Sequence, residues 1–312
     1  MLQLAFVPTD HFKASVFYPF YPFYLCTNER WIMRAGMSDG PFILGHRGAS
    51  ALAPENTLAA FSRAMNDGAD GIEFDVRLSR DRVPVVIHDA TLKRTGMIDR
   101  PVSALTASEL GQIDVGSWFA ARTQDLKESF LGEKLPLLAQ VFELFSANNG
   151  QLYIEMKCDD DEGPLLAAEV VRLTRESQMT ERVVVESFDN AAIAAVKTID
   201  EGIHTAALFE PKLRRPISTV RRLKMVEAAL GAGADEIALH HTLVGGRIVE
   251  KARKAGLEVV VWTVDDPVWI ARAREVDIKA LIANDPGVLV RERNIRDASL
   301  AQATNYAIDL SC

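Results

Sequence analysis

From residue 41 onward, short apolar runs rich in β-branched residues alternate with longer amphipathic stretches rich in alanine. The runs FILGH (42–46), GIEFDV (71–76), PVVIH (84–88), LYIEM (152–156), RVVVES (182–187), TAALF (205–209), EIALH (236–240), EVVVWTV (258–264) and ALIAN (280–284) have the length and composition of strands. Helical patterning lies between most of them, at about 55–67, 136–147, 163–177, 189–199, 217–232, 245–255 and 267–275. Apolar strands separated by helices predict parallel βαβ units.

Nine strands are one more than the eight of a closed (β/α)₈ barrel. The excess is explained between Val76 and Pro84, where the connection is too short for a parallel crossover of a dozen or more residues. Residues 71–76 and 84–88 are therefore expected to form an antiparallel hairpin, whose register places His88 near Glu73. Eight parallel strands remain. The expected fold is α/β, a (β/α)₈ TIM barrel with a hairpin and a small insertion after the second barrel strand. Residues 41–312 form its domain, and 89–135, with Gly, Ser, Asp, Trp118 and Phe119, form the insertion, read as a lid or substrate-shaping segment.

Residues 1–40 break the pattern. The stretch VFYPFYPFYLC is aromatic but interrupted by Pro19 and Pro22. No basic cluster precedes it and no small-residue cleavage site follows, so it reads poorly as a signal peptide. The expectation is an N-terminal extension, disordered or loosely docked, or an over-long start with Met33 or Met37 as the first residue, the alternative being a membrane-touching or targeting role.

Composition narrows the class. The 312 residues are 48% hydrophobic and 25% charged, as in a globular enzyme. The formal charge of −8, from 35 basic and 43 acidic side chains, argues against a nucleic-acid partner. Cys26, Cys158 and Cys312 are odd in number and far apart, which argues against a disulfide framework and suits the cytoplasm. No apolar run reaches the ~20 residues of a membrane span. Oligomeric state is not legible.

In such barrels the chemistry sits where the strands end. Those ends carry Gly45-His46-Arg47-Gly48, Glu73 with Asp75, His88-Asp89, Glu155 with Lys157, Glu186-Ser187-Phe188, His240-His241 and Trp262. Glu73 and Asp75 are two apart on a strand and so share a face, while Ile72, Phe74 and Val76 point to the helices. Two carboxylates inside a barrel need a cation, a shared proton or water between them. With Glu155 they make an oxygen cage suited to one divalent cation, Mg²⁺ or Ca²⁺. His46 and His88 are the candidate base and acid, since imidazole titrates near neutrality. Arg47 and Lys157 offer charge for phosphate oxygens or for the carboxylates themselves. His240 and His241 are weaker candidates, one of them expected to face inward.

The run GHRGASALAPENTLAAFSRAMNDGADGIEFDVRLSRDRVPVVIHDATLKRTG, with YIEMK (153–157), VVVESFD (183–189), VVVWTVD (259–265) and ANDP (283–286), resembles the glycerophosphodiester phosphodiesterase family, bacterial cytoplasmic type. The likeness spans about residues 41–290. It implies a metal-dependent hydrolase of small glycerophosphodiesters that releases sn-glycerol 3-phosphate and an alcohol in glycerophospholipid breakdown. It implies His46 and His88 as catalytic, and Glu73, Asp75 and Glu155 as ligands of a divalent cation. Arg47 and Lys157 then lie near the phosphate, Trp262 on the glycerol side, and Glu55 with Asn56 hold the first loop. Ala283 stands where the pattern leads one to expect threonine. Headgroup, choice of cation, order of the two histidines and nucleophile (water or the substrate's 2-hydroxyl) stay open. The alternatives are a lipid phosphodiesterase of phospholipase C or D type, or a non-catalytic phosphodiester-binding barrel.

Overall fold

The computed structural model describes residues 40–122, 130–158, 162–211 and 219–309. The expected extension lies outside them, save for Gly40. In chain order the elements are β1 (Phe42–His46), α1 (Leu58–Asn66), β2 (Gly71–Leu78), β3 (Pro84–Val86), α2 (Ala107–Leu110), α3 (Ser117–Arg122), α4 (Leu138–Phe145), β4 (Gln151–Met156), α5 (Gly163–Glu176), β5 (Val183–Ser187), α6 (Asn190–Ile199), β6 (His204–Phe209), α7 (Thr219–Gly231), β7 (Glu236–His240), α8 (Gly246–Lys254), β8 (Glu258–Trp262), α9 (Val268–Val276), β9 (Ala280–Ala283) and α10 (Pro286–Asp309).

β1 pairs in parallel with both β2 and β9, which closes eight parallel strands into a (β/α)₈ barrel. β3 lies outside that ring and runs antiparallel to β2, with Val76 opposite Val86. The hairpin is as the short connection required. Its arm stops at Val86 rather than residue 88, and Ile87 N–H still donates to Asp75 O at 3.0 Å. Strand spacing leaves no room for a side chain where β2 enters the sheet, since a Cβ on Gly71 would sit 2.2 Å from Gln151 O.

Alternation along each strand divides the side chains between two cores. Leu44, Tyr153, Val184, Ala206, Leu208, Ala238, Val260, Ala280 and Ile282 fill the barrel. Ile72, Phe74 and Val76 face outward against Phe61 of α1 and Val141, Phe142 and Phe145 of α4. Replacing a fully buried Phe142 by Ala in such packing would cost about 3–5 kcal/mol. The same alternation sends Glu73, Asp75 and Glu155 inward.

Two regions differ from the sequence expectation. The first helix begins at Leu58, because Thr57 caps it by accepting from Ala60 N–H at 3.2 Å and leaves Glu55 and Asn56 in a turn. The periodicity also gave no sign of α10. Its Leu289 and Val290 are buried, and its Arg293 donates to Pro41 O at 3.1 Å and pairs with Asp70 at the foot of the barrel. The described part of 89–135 carries α2, α3 and a 3₁₀ turn over an apolar cluster of its own, which includes Leu92, Val102, Leu110 and Leu135.

At that foot, the N-terminal end of the strands, charged groups are paired with one another. Lys279 Nζ lies 2.6 Å from Glu236 Oε1 and also reaches Glu258; His204 Nε2 is 3.1 Å from Glu236, and Tyr153 donates to Glu236 at 3.0 Å. Burial opposes charge on His204, but the Glu236 and Glu258 carboxylates, 3.1 and 3.7 Å from its Nε2, outweigh it and raise its pKa to about 9.

Candidate active site

β1 leaves the barrel through a tight turn. Arg47 and Gly48 both take the left-handed conformation, with φ of 53° and 78°. Glycine is required at the second position, where a Cβ would meet the backbone of Ala60 at 2.5 Å. At Arg47 this conformation costs about 1–2 kcal/mol. The neighbourhood holds it there: Arg47 N–H donates to Glu73 Oε2 at 3.1 Å, and Asn56 N–H donates to Arg47 O at 3.0 Å. Asn56, itself at φ 59°, brackets Asp75 by donating from Nδ2 at 2.8 Å and accepting from Asp75 N–H at 3.3 Å. The Glu55-Asn56 turn is thereby fastened to the carboxylates.

Glu73, Asp75 and Glu155 are buried, and one oxygen from each lies within 4.8 Å of the others. Arg47 Nε stands 3.1 Å from Asp75 Oδ2, and its Nη1 donates to Glu55 at 2.8 Å. Lys157 Nζ lies 2.6 Å from Glu155 Oε1 and 3.2 Å from Asp75 Oδ1. The two cations do not settle three buried carboxylates equally. Burial alone would raise Asp75, but Arg47 and Lys157 hold it well below the usual carboxylate range. Burial, then the Asp75 and Glu155 charges, push Glu73 well up; burial and Asp75 raise Glu155 to about 8. Oxygen donors this close, and short of positive charge, fit a hard divalent cation.

His46 and His88 flank the cluster. His46 Nδ1 lies 2.7 Å from Asn284 Oδ1, and its Nε2 faces Glu73 at 3.9 Å. The Asn284 amide nitrogen donates to Asp265 at 2.8 Å, so its oxygen is the end turned to His46 and the imidazole proton belongs on Nδ1. His88 Nδ1 lies 2.7 Å from Asp89 Oδ1, which fixes the same tautomer. Burial and the nearby Arg47 charge lower His46 to about 4; burial, Arg47 and Lys157 lower His88. Asp75 and Asp89 are the carboxylates that work against this lowering on His88. β3 ends two residues early, and the chain beyond it turns along Asp75.

The mouth is aromatic on one side. Trp262 packs edge-on against Phe188 and His240, with centroids 5.6 and 5.2 Å away, and Lys157 Nζ lies 5.7 Å from the Phe188 ring centre. His240 is thus the inward member of its pair, held at Nδ1 by Thr242 Oγ1 at 2.8 Å. On the other side an open cleft of ≈ 360 Å³ is lined by His46, Arg47, Ser50, Glu55, Asp265 and Asn284.

Several residues of this mouth escaped sequence reasoning. Arg94, from the insertion, ties Glu55 (2.9 Å from Nη2) to Asp89 (2.7 Å from Nε), and its hydrogen bond first among the causes lowers Asp89 to about 2. Asn284 and Asp265 orient His46 from the far side of the barrel closure. Glu186, buried one strand over from Glu155, also faces inward. Asn284 and Asp265 stood inside quoted motifs and Glu186 at a strand end, so the signal was position; their partners were not legible.

Comparison with known proteins gives consistent results. Residues 46–288 match the model of the glycerophosphoryl diester phosphodiesterase family. A glycerophosphodiester phosphodiesterase of Caldanaerobacter subterraneus subsp. tengcongensis is 32% identical over 250 residues, 80% of this chain and 96% of its own length. The crystal structure of a glycerophosphodiester phosphodiesterase from Agrobacterium tumefaciens superposes with a TM-score of 0.66 at 30% identity, covering 80% of this chain and 98% of that one. A phosphodiesterase of Oleispira antarctica, solved in complex with the product sn-glycerol-3-phosphate, shares the fold with a TM-score of 0.71 at 24% identity, over 82% of this chain and 97% of its own.

Proposed function

The chain belongs to the glycerophosphoryl diester phosphodiesterase family, and on that premise we propose that it hydrolyses a small glycerophosphodiester to sn-glycerol 3-phosphate and an alcohol with the help of one divalent cation and two histidines. The observation that carries this reading is the meeting of two histidines of fixed tautomer with three carboxylates and two cations at one end of the barrel. Glu73, Asp75 and Glu155 would hold the cation, Mg²⁺ or Ca²⁺, which when bound neutralises charge on the phosphate oxygens.

The chain's own groups divide the proton work unequally. His46 is backed by a neutral amide, which favours the imidazolium less than a carboxylate in that place would; with Nδ1 protonated, its Nε2 lone pair suits a base that takes the nucleophile's proton. His88 is backed by a carboxylate that Arg94 keeps ionised, and this contact favours its protonated form against burial and the Arg47 and Lys157 charges, as an acid for the departing alkoxide requires. Arg47 and Lys157 stand beside the cluster, where phosphate oxygens would meet a guanidinium fork and an ammonium. Trp262 offers an apolar wall for the glycerol carbons. Glu55 and Asn56 hold the first loop against Asp75 and Arg94. Residues 41–312 act as one catalytic domain, with 89–135 as its insertion, and the cytoplasm is the location its sparse cysteines suit. The substrate class places the reaction after deacylation of glycerophospholipids.

The test is hydrolysis of glycerophosphocholine by the purified protein, following sn-glycerol 3-phosphate with Mg²⁺, with Ca²⁺ and with excess chelator. Product that forms with a cation and stops with chelator supports the reading. Folded protein that yields none with either cation and any common headgroup overturns it.

A further inference from the structure

Glu186 lies next to last in β5 and is paired in register with Glu155 of β4. Neighbours across parallel strands send their side chains to the same face, so Glu186 enters the barrel beside a carboxylate of the candidate cation site. It is 1% exposed, and its Oε2 is buried with no hydrogen-bond partner among the described residues. The charges acting on it most strongly are those of Glu73, Glu155, Glu236 and Asp75, all of them acidic. A carboxylate placed this way is costly unless something brings it a proton donor or positive charge. Apolar residues of similar size would fill the space without that cost, as Val184 and Ala206 do nearby.

Glu186 does not belong to the trio whose oxygens lie within 4.8 Å of one another, so direct ligation alongside all three is not its geometry. A divalent cation, and Mg²⁺ above all, keeps several of its waters when bound by carboxylates. Those waters carry protons that need acceptors, and a buried site offers few. Arg47 and Lys157 are donors only and cannot serve, and the Asn56 amide oxygen already accepts from Asp75 N–H. The free oxygen of Glu186, one strand over from Glu155, can.

We propose that Glu186 is a fourth carboxylate of the cation site, which accepts a hydrogen bond from a water bound to the cation and thereby sets how tightly the cation is held. This rests on the cation reading above. Groups that orient a cation's ligands in this way typically contribute a factor of about 10–100 in affinity.

The experiment is calorimetric titration of Mg²⁺ and Ca²⁺ into the chelator-stripped full chain, comparing wild type with E186Q, E186D and E155Q, alongside unfolding temperatures. E186Q keeps the shape but not the charge. It should weaken cation binding about 10–100-fold; E186D, which restores the charge on a shorter arm, should bind between E186Q and wild type. The cation-free E186Q protein should melt at or above the wild-type temperature, because a buried acidic group set among other acids is replaced by a neutral amide. Wild-type affinity in E186Q, with binding lost in E155Q, overturns the role of Glu186 and leaves the cation site standing. Absence of binding in the wild type itself overturns the cation site, and this proposal with it.

Discussion

Asn284 Oδ1 accepts from His46 Nδ1 at 2.7 Å across the seam where β9 closes the barrel onto β1, while Asp265 holds the other end of the amide. A residue far along the chain therefore decides which nitrogen of the candidate base is free. Replacing Asn284 by Ala should lower kcat about 10–100-fold, by analogy with other groups that orient a reacting side chain. The melting temperature should stay near that of the wild type, since Asn284 lies at an open cleft. Wild-type kcat in N284A would remove the tautomer argument.

The histidines themselves should matter more. H46A and H88A are each expected to lose about 10²–10⁴ in kcat, with thermal unfolding little changed. Near-normal turnover in both would end their assignment.

Asp89 lies against His88, and Arg94 holds Asp89 ionised. In D89N the His88 imidazolium loses its carboxylate, so its pKa should fall. If His88 is the acid, the alkaline limb of the kcat profile should shift to lower pH in D89N. R94Q should shift it in the same direction, whereas R94K should restore it only in part, because an ammonium cannot bridge Glu55 and Asp89 as a fork does. A profile that does not move in D89N would assign the proton donation elsewhere.

Cation binding should also register in stability. Anything bound by the folded chain alone stabilises it, by about 2.7 kcal/mol at a hundred times Kd, or roughly 5 °C for a domain of this size. Mg²⁺ or Ca²⁺ should therefore raise the melting temperature of stripped wild type, and D75N should show no such rise.

The foot of the barrel should give a pH signature of its own. The His204 pKa is raised from 6.5 to about 9 by Glu236 and Glu258 against the opposing effect of burial. With the folded value above the unfolded one, the stabilisation is whole below about pH 6.5 and is lost as pH rises through about 9. H204Q should thus melt lower than wild type at pH 6, by a few degrees for a contribution of about 1–2 kcal/mol after solvent screening. The two curves should meet above pH 9, and a gap that stays constant with pH would assign the loss to packing instead.

The sequence alone determined the alternation of strand and helix, and with it the barrel. Burial of both faces of a parallel strand writes a continuous apolar run, and the short link after Val76 admits only a hairpin. It also determined that Glu73 and Asp75 share a face, because a strand has a period of two. It could not show α10, whose mixed surface carries no strong helical stripe beyond Leu289 and Val290. The tertiary structure alone decided which partner each charged group meets. Asn284 reaches His46 over 238 residues, Arg94 reaches Glu55 over 39, and Glu186 takes its place beside Glu155 through strand register. Local patterning follows from the periods of helix and strand and can be read along the chain, whereas tautomer, charge pairing and pKa are fixed by distances that exist only once the barrel has closed.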